Sequence, residues 1–403
     1  MKILMLNHEF PPVGGGASPV ALELCRHLVR LGHRVDAVTM HFGQLPRVEN
    51  LDGVRIYRTP ALRKRADICH THEMATFLPG ALPTTLKLAR REKYDIIHCH
   101  FIIPGGPLAW LASRCRGIPL VITCHGSDVP GYNPERFGLD HKLLKPVWHF
   151  LVHRAALLVS PSESLKNLIQ AECPRARVEI IPNGINLTDF RTKKKNKDIL
   201  LCSRLLGRKG FQYALEAIGQ TDFAGQVHVV GDGPMLSELK NMAAGMGATV
   251  RFWGWLDKED PRFRQLYAES GIFIFPSEAE NFPMVLLEAM AAGMAIITST
   301  AGGCPEVVGD SALLVKPRNS LEIKEQLQKL LNEDSLCMQL GESVQRRVEQ
   351  FRWTAVAKKY AACYQNVLDH SCFAKNVTPA QAGVHCTEKC FSHRNTGFLP
   401  SQE

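Results

Sequence analysis

The stretch Ile272-Phe-Ile-Phe-Pro276-Ser-Glu-Ala-Glu280-Asn-Phe-Pro283-Met-Val-Leu-Leu-Glu288-Ala-Met-Ala-Ala292-Gly-Met-Ala295-Ile-Ile-Thr298 decides how the chain is read. A short apolar run gives way to a polar loop, then to a longer apolar segment opening on Pro283, then to a second short apolar run. Proline suits a first helical turn, where its missing N–H breaks no bond. Ile272–Pro276 therefore reads as a strand, Pro283–Ala292 as a helix and Ala295–Thr298 as the next strand. A strand–helix–strand unit of this kind builds a parallel sheet.

Outward from this unit the same alternation continues. Strands are expected at Asp198–Ser203, Gln226–Gly231, Val250–Phe252 and Ala312–Val315, with helices at Gly210–Ile218, Pro234–Met246, Arg262–Glu269, Ser320–Leu331 and Asp334–Gln350. An earlier series reads likewise: strands at Lys2–Leu6, His33–Met40, Val54–Tyr57, Ile96–Cys99, Leu120–Cys124, Leu157–Val159 and Val178–Ile181. Its helices fall at Ala17–Leu31, Leu82–Glu92, Pro107–Cys115, Leu143–Ala156 and Ser164–Glu172. Between the series lie the turn cluster Pro182–Asn186 and the polar run Arg191–Asp198, whose four lysines read as a solvated linker. The expected fold is α/β with two Rossmann-like domains, residues 1–188 and 189–351. A helix over 352–370 and a tail over 371–403 without regular structure follow.

Composition narrows the class. The chain has 403 residues, enough for two cores, and no run approaches the ~20 apolar residues needed to span a bilayer. No secretion signal opens it, so a cytoplasmic protein is expected, with its thirteen scattered cysteines acting mostly as small hydrophobes. The cramped group His385, Cys386, Cys390 and His393 speaks against zinc, and no metal site is expected. Residues 1–188 carry 23 Lys and Arg against 15 Asp and Glu, whereas residues 189–370 carry 22 of each. A basic half beside a neutral one points to an anionic partner for the first half. Nucleic acid is one such partner, but no aromatic-interleaved basic repeat or DNA-reading helix is found, and nucleic acid is not expected; an anionic membrane surface or a phosphate-bearing acceptor fits at least as well.

Four constellations fall where α/β sheets bind ligands, at the carboxyl ends of strands. Glu280 lies in the loop before the helix and Glu288 in its early turns, while the backbone N–H groups of Met284 and Val285 face the site and suit a phosphate. Two carboxylates there make sense if they accept bonds from sugar and ribose hydroxyls; the competing reading is one helix-start glutamate and one solvated glutamate. Arg204 and Lys209, beside Gly207 and Gly210, suit a departing diphosphate. Gly14-Gly15-Gly16 follows the first strand, and the absence of an acid at the end of the second strand, near Thr39, counts against NAD. His125-Gly-Ser-Asp128 follows a strand directly, placing His125 to reach a sugar hydroxyl or, on the alternative reading, to be held by Asp128.

Arg204 and Lys209, the Gly231-Asp-Gly-Pro234 turn, Glu280 and Glu288 with the following Ala-Met-Ala, and Phe351-Arg-Trp353 together resemble the family-4 (group 1) glycosyltransferases of the GT-B fold. The resemblance spans residues 1 to about 370 and is most specific between 200 and 310. It implies that Glu288 and Gly231 lie at the donor ribose and nucleotide, that Arg204, Lys209, Met284 and Val285 hold the diphosphate, and that Glu280 contacts sugar hydroxyls. It implies also that His125 sits by the transferred sugar, that Gly14, Gly15 and Gly16 lie near the reaction centre, and that the last helix crosses back onto the first domain. Such enzymes retain anomeric configuration and need no metal or cofactor beyond the donor, here a UDP-sugar before a GDP-sugar. Pro283 stands where many relatives have glycine, which removes one phosphate-binding N–H.

The expected reaction moves a sugar to an acceptor hydroxyl, in cell-surface polysaccharide, lipopolysaccharide or glycolipid synthesis of a bacterium. With no carboxylate placed as nucleophile, front-face attack is expected. Lys142, Lys145, His149 and Arg154 among Leu143, Leu144, Val147, Trp148, Phe150 and Leu151 suggest contact with the cytoplasmic face of an inner membrane and a lipid-linked acceptor. The alternatives are a nucleotide-sugar epimerase, a phosphorylase and a non-catalytic sugar-nucleotide-binding protein.

Overall fold

The computed structural model describes residues 1–66, 68–132, 134–190 and 195–376. Two parallel sheets organise them. The first contains β1 (Lys2–Leu6), β2 (Arg34–Met40), β3 (Val48–Leu51), β4 (Val54–Thr59), β5 (Ile96–His100), β6 (Leu120–Thr123), β7 (Leu157–Ser160) and β8 (Val178–Ile180), in the order β3-β4-β2-β1-β5-β6-β7-β8. Only β3 and β4 pair antiparallel. The connections are α1 (Ala17–Arg30), α2 (Thr71–Arg91), α3 (Gly105–Arg116), α4 (Pro134–Arg154) and α5 (Glu163–Glu172).

The second sheet holds β9 (Ile199–Cys202), β10 (Gln226–Val230), β11 (Thr249–Gly254), β12 (Ile272–Phe275), β13 (Ala295–Ser299) and β14 (Leu313–Val315), ordered β11-β10-β9-β12-β13-β14 and parallel throughout. Its helices are α6 (Phe211–Gly219), α7 (Leu236–Ala244), α8 (Pro261–Glu269), α9 (Met284–Ala291), α10 (Cys304–Val308), α11 (Ser320–Asn332) and α12 (Asp334–Val348). Strands buried on both faces, such as Ile272–Phe275, explain the unbroken apolar runs. In each sheet the strand order reverses at one point, between β1 and β5 and between β9 and β12. At such a switch point the neighbouring loops part and leave a crevice.

α13 (Trp353–Asn376) returns to the first sheet. Trp353, Val356, Ala357, Tyr360 and Tyr364 join the core built on α1, β1 and β2. Its start is pinned at Ile185, whose N–H donates to the Phe351 carbonyl at 2.8 Å. Gly184 lets Trp353 approach, for a Cβ there would lie 2.4 Å from the indole.

Several sequence expectations need correction. α4 starts at Pro134, nine residues before Leu143, and α10 was not expected. α2 begins at Thr71, eleven residues before Leu82, because Pro79 and Pro83 sit inside the helix instead of ending it. The edge strand β3 follows no apolar pattern and was not expected. α13 extends past Asp369 into the segment expected to be an irregular tail. The remainder of that tail from 377, with His385, Cys386, Cys390 and His393, lies outside the described residues, as do Arg191, Lys193 and Lys194. Ten cysteines, from Cys25 to Cys363, are free thiols, mostly buried. No helix among the described residues is long and apolar enough to cross a membrane.

Candidate active site

Both crevices open toward each other, and their walls differ in chemistry. On the second-half wall, Arg204 leaves the end of β9 and is exposed. The chain then tightens into a short turn, Gly207–Lys209, closed by Gly210 at φ 76°, where a Cβ would come within 2.4 Å of the Pro276 carbonyl. This turn delivers Lys209 to the end of β12, where its ammonium pairs with the Glu280 carboxylate; the two residues are 7% and 9% exposed. Ser277 Oγ donates to the same carboxylate oxygen at 2.6 Å, and Arg208 Nη1 lies 4.0 Å from it. Burial pushes the Lys209 pKa down, with Glu280 opposing the shift.

Glu288 sits in α9 at 2% exposure, paired with Lys258 and accepting a bond from Tyr267 Oη at 3.2 Å. Burial alone would lower the Lys258 pKa; the Glu288 carboxylate outweighs it and the pKa is raised. Met284 and Val285 open α9, half-buried, and no side chain caps this helix end. Its N-terminus therefore presents positive partial charge to the crevice. Gly231 acts through the backbone. At φ 134° it brings its turn against β9, where a Cβ would lie 1.8 Å from the Ser203 carbonyl.

On the first-half wall, Gly14 adopts φ 117°, and a Cβ there would meet the Glu9 and Ser18 Cβ atoms at 2.6 and 2.8 Å. Glu9 props the loop: one carboxylate oxygen accepts from Gly15 N–H and the other from Arg63, each at 3.0 Å. Gly16 faces open space at the uncapped start of α1. His125 shares a hydrogen bond with His100, Nε2 to Nδ1 at 2.9 Å, while Asp128 accepts from the backbone N–H groups of His125, Gly126 and Ile102. Asp128 thus shapes the loop and leaves the imidazole to His100, against the reading in which it held the ring. Burial depresses the His125 pKa to about 3, so the ring is neutral near pH 7.

The walls touch. Ser162 Oγ donates to Asn281 Oδ1 at 2.7 Å, and the Glu306 carboxylate accepts from Glu163 N–H and Ser164 N–H at 2.6 and 2.8 Å. The Tyr132 side chain hydrogen-bonds that of Arg208, and burial, with the Glu280 charge, raises its pKa to about 12.

The chain and its fold have counterparts among known proteins. Residues 14–189 match the family described as Glycosyltransferase Family 4, and residues 186–347 the family described as Glycosyl transferases group 1. The chain belongs to the family-4, group 1 glycosyltransferases. It is 28% identical over 386 residues to N-acetyl-alpha-D-glucosaminyl L-malate synthase of Bacillus anthracis, covering 91% of this chain and 98% of that protein. Sucrose-phosphate synthase from Thermosynechococcus elongatus superposes with a TM-score of 0.76 at 21% identity, over 92% of this chain and all of the other. Anabaena Alr3699/HepE in complex with UDP-glucose gives 0.71 at 20% identity, over 91% of this chain and 100% of that one. The glycosyltransferase therefore has the GT-B fold, and it is a transferase.

Of the glycosyltransferase residues singled out from sequence, Lys209 and Glu280 stand in direct contact, with Arg204 and the start of α9 on the same wall. His125 and the glycine loop lie on the other. Sequence reasoning missed Arg208, Lys258, Ser277, Tyr132 and His100. Lys258 follows β11 at its carboxyl end, the position rule that found Arg204, but Asp257 and Glu259 beside it read as ordinary surface charge. His98 and His100 alternate on the buried strand Ile-Ile-His-Cys-His, a polar pattern that could have drawn notice.

Proposed function

We propose that this enzyme transfers a sugar, with retention of anomeric configuration, from a nucleotide-diphosphate sugar to an acceptor hydroxyl. The observation that carries the reading is the convergence at one switch point of Arg204, the buried Lys209–Glu280 pair and the uncapped N-terminus of α9. Cations and aligned N–H groups in a sheltered crevice stabilise a diphosphate as its charge grows on leaving. In this reading Arg204 and Lys209, with the N–H groups of Met284 and Val285, hold the diphosphate. Glu288, paired with Lys258, accepts from the ribose hydroxyls, and Gly231 lets the nucleotide approach. Glu280 accepts from the sugar hydroxyls.

His125, neutral at working pH, bonds a hydroxyl of the transferred sugar without adding charge, while Gly14–Gly16 leave room beside it. Among the described residues no carboxylate is posed as nucleophile, and in this reading the acceptor attacks on the face the diphosphate leaves. A UDP-sugar is the favoured donor, as bound in the Anabaena protein; a GDP-sugar is the alternative. The acceptor belongs to cell-surface polysaccharide, lipopolysaccharide or glycolipid synthesis and is lipid-linked. What supports this is α4, where Leu139, Leu143, Val147 and Phe150 recur at helical spacing, 72, 71, 41 and 39% exposed, beside exposed Lys142, Lys145 and Arg154. Trp148 and Leu151 instead face the core, which divides the apolar side read from sequence. An apolar stripe with a basic margin suits an anionic membrane surface.

Thermal-shift screening against UDP-, GDP- and ADP-sugars, followed by transfer assays with the stabilising donor, tests the reading. Glu288→Ala should lose transfer while keeping its circular dichroism spectrum; unchanged transfer would remove the ribose assignment. Donor isomerisation without acceptor would favour an epimerase instead. Sedimentation with anionic and neutral liposomes tests the membrane contact, which equal, negligible binding to both would exclude.

A further inference from the structure

α4 and α5 both run away from the cleft and end beside the amino ends of β7 and β8, so their last turns meet at the far edge of the first sheet. His149 and His153 are one turn apart on α4 and share a face. Cys173 terminates α5, its N–H held by the Ile169 carbonyl at 2.8 Å. The three side chains converge, with one ligand atom of each lying within 4.8 Å of the others. The Cys173 sulfur is 3.6 Å from His153 Nε2.

Orientation favours coordination. His153 Nδ1–H donates to the His149 carbonyl at 2.7 Å, which leaves the lone pair of Nε2 directed at the sulfur. A backbone partner on the other ring nitrogen is the usual way a metal-bound imidazole is aimed. Cys173 is buried at 4% exposure, whereas His149 is half-buried and His153 exposed, so an ion enters from solvent onto a fixed sulfur. In a tetrahedral zinc site, bonds of about 2.3 Å to sulfur and about 2.0 Å to nitrogen put neighbouring ligand atoms roughly 3.3 to 3.6 Å apart. The Cys173–His153 spacing already has that value, and side-chain rotation of His149 brings in the third. One turn earlier, Lys145 and Glu172 pair at 2.8 Å and tie the same helices together.

We propose that His149, His153 and Cys173 form a site for a borderline-soft divalent cation, Zn²⁺, which staples the end of α4 to the end of α5. Two imidazoles and a thiolate select Zn²⁺ over Mg²⁺ or Ca²⁺, which prefer oxygen. On binding, the Cys173 thiol releases its proton to solvent and the sulfur coordinates as thiolate. Water completes the fourth position. The site lies at the opposite end of the sheet from the donor crevice, so it is structural and independent of the transfer reaction.

Cobalt reports on such a site because a Co²⁺–thiolate bond gives a near-ultraviolet charge-transfer band and tetrahedral geometry gives intense visible bands. The chelator-treated full-length chain is titrated with Co²⁺ alone, alongside Cys173→Ser, His153→Ala and a Cys386→Ser/Cys390→Ser double variant, each checked for an unchanged circular dichroism spectrum. The unsubstituted chain and the double variant are expected to bind one ion with both features, displaced by Zn²⁺. Cys173→Ser should lack the charge-transfer band, and His153→Ala should bind at least roughly tenfold more weakly. Absence of the band in the unsubstituted chain, its persistence in Cys173→Ser, or its loss in the double variant alone would overturn the proposal.

Discussion

The two walls of the cleft accommodate their buried polar groups in opposite ways. The first-half wall uses neutral rings: His98, His100 and His125 stack in series and His8 lies against Phe101, which also meets His125, with Tyr364 Oη on His98 at 2.6 Å and His100 on His125. The second-half wall uses charge, in the pairs Lys209–Glu280 and Lys258–Glu288. A buried imidazole escapes the desolvation penalty by staying unprotonated, whereas the buried Lys209 keeps Glu280 beside it and the buried Glu288 takes its counter-ion from the exposed Lys258. In the proposed reading, one wall thereby presents uncharged groups to a sugar and the other cations that can exchange partners for an anion. The net basic charge of the first half lies elsewhere, on surfaces such as α4.

Acidification should break this comparison most strongly. Unfolded, the histidines take up protons near their ordinary value of 6.5, whereas in the fold burial holds His8 at about 4, His98 and His125 at about 3, and His100 well below normal. The unfolded chain therefore binds more protons below pH 6.5, and stability falls with pH through that window, at up to about 1.4 kcal/mol per pH unit per histidine. The urea midpoint is expected to be lower at pH 5 than at pH 7, with hydrogen-exchange protection lost first in β5 and β6; equal loss in β9 and β12 would contradict it.

The second wall should respond to loss of one partner. Lys209→Met leaves Glu280 buried without its counter-ion and is expected to cost about 3–5 kcal/mol in urea unfolding, while Lys209→Met/Glu280→Leu recovers much of that loss. Arg204→Ala, at an exposed position, sharpens the contrast. Its stability should stay within about 0.5 kcal/mol of the parent, and its kcat fall roughly 10²–10³-fold. A stable, fully active Arg204→Ala enzyme would take the diphosphate away from this wall. The smallest effect is expected across the cleft, where Tyr132→Phe removes the bond to Arg208 at a cost of about 0.5–1.5 kcal/mol, seen as a modest midpoint shift.

Much of the fold was legible because buried parallel strands write themselves as short apolar runs with glycine or proline beyond them. Ile272–Phe275, Ala295–Ser299 and the helix between them were read almost to the residue. Where a local rule and the packing disagree, packing prevailed. Pro79 and Pro83 lie within α2, where Gly80 meets the Pro60 carbonyl so closely that a Cβ would sit 1.8 Å from it. In α4 the sequence could not say which of two apolar flanks faces inward; the neighbours that bury Trp148 and Leu151 and expose Leu143 come from other elements.

The candidate site divides along the same line. Residue type and position at a strand's end were enough to single out Arg204, Lys209, Glu280, Glu288 and His125, because in a parallel sheet every such loop opens on the same edge. Partner identity was not available. That Glu280 belongs to Lys209, Glu288 to Lys258 and His125 to His100 depends on contacts spanning 71, 30 and 25 residues of chain. The linear pattern records which segments are buried and which way the chain must turn, since those are local energetic choices; which side chain neutralises which is set only when the sheets assemble, because that energy depends on distances between segments that share no local signal.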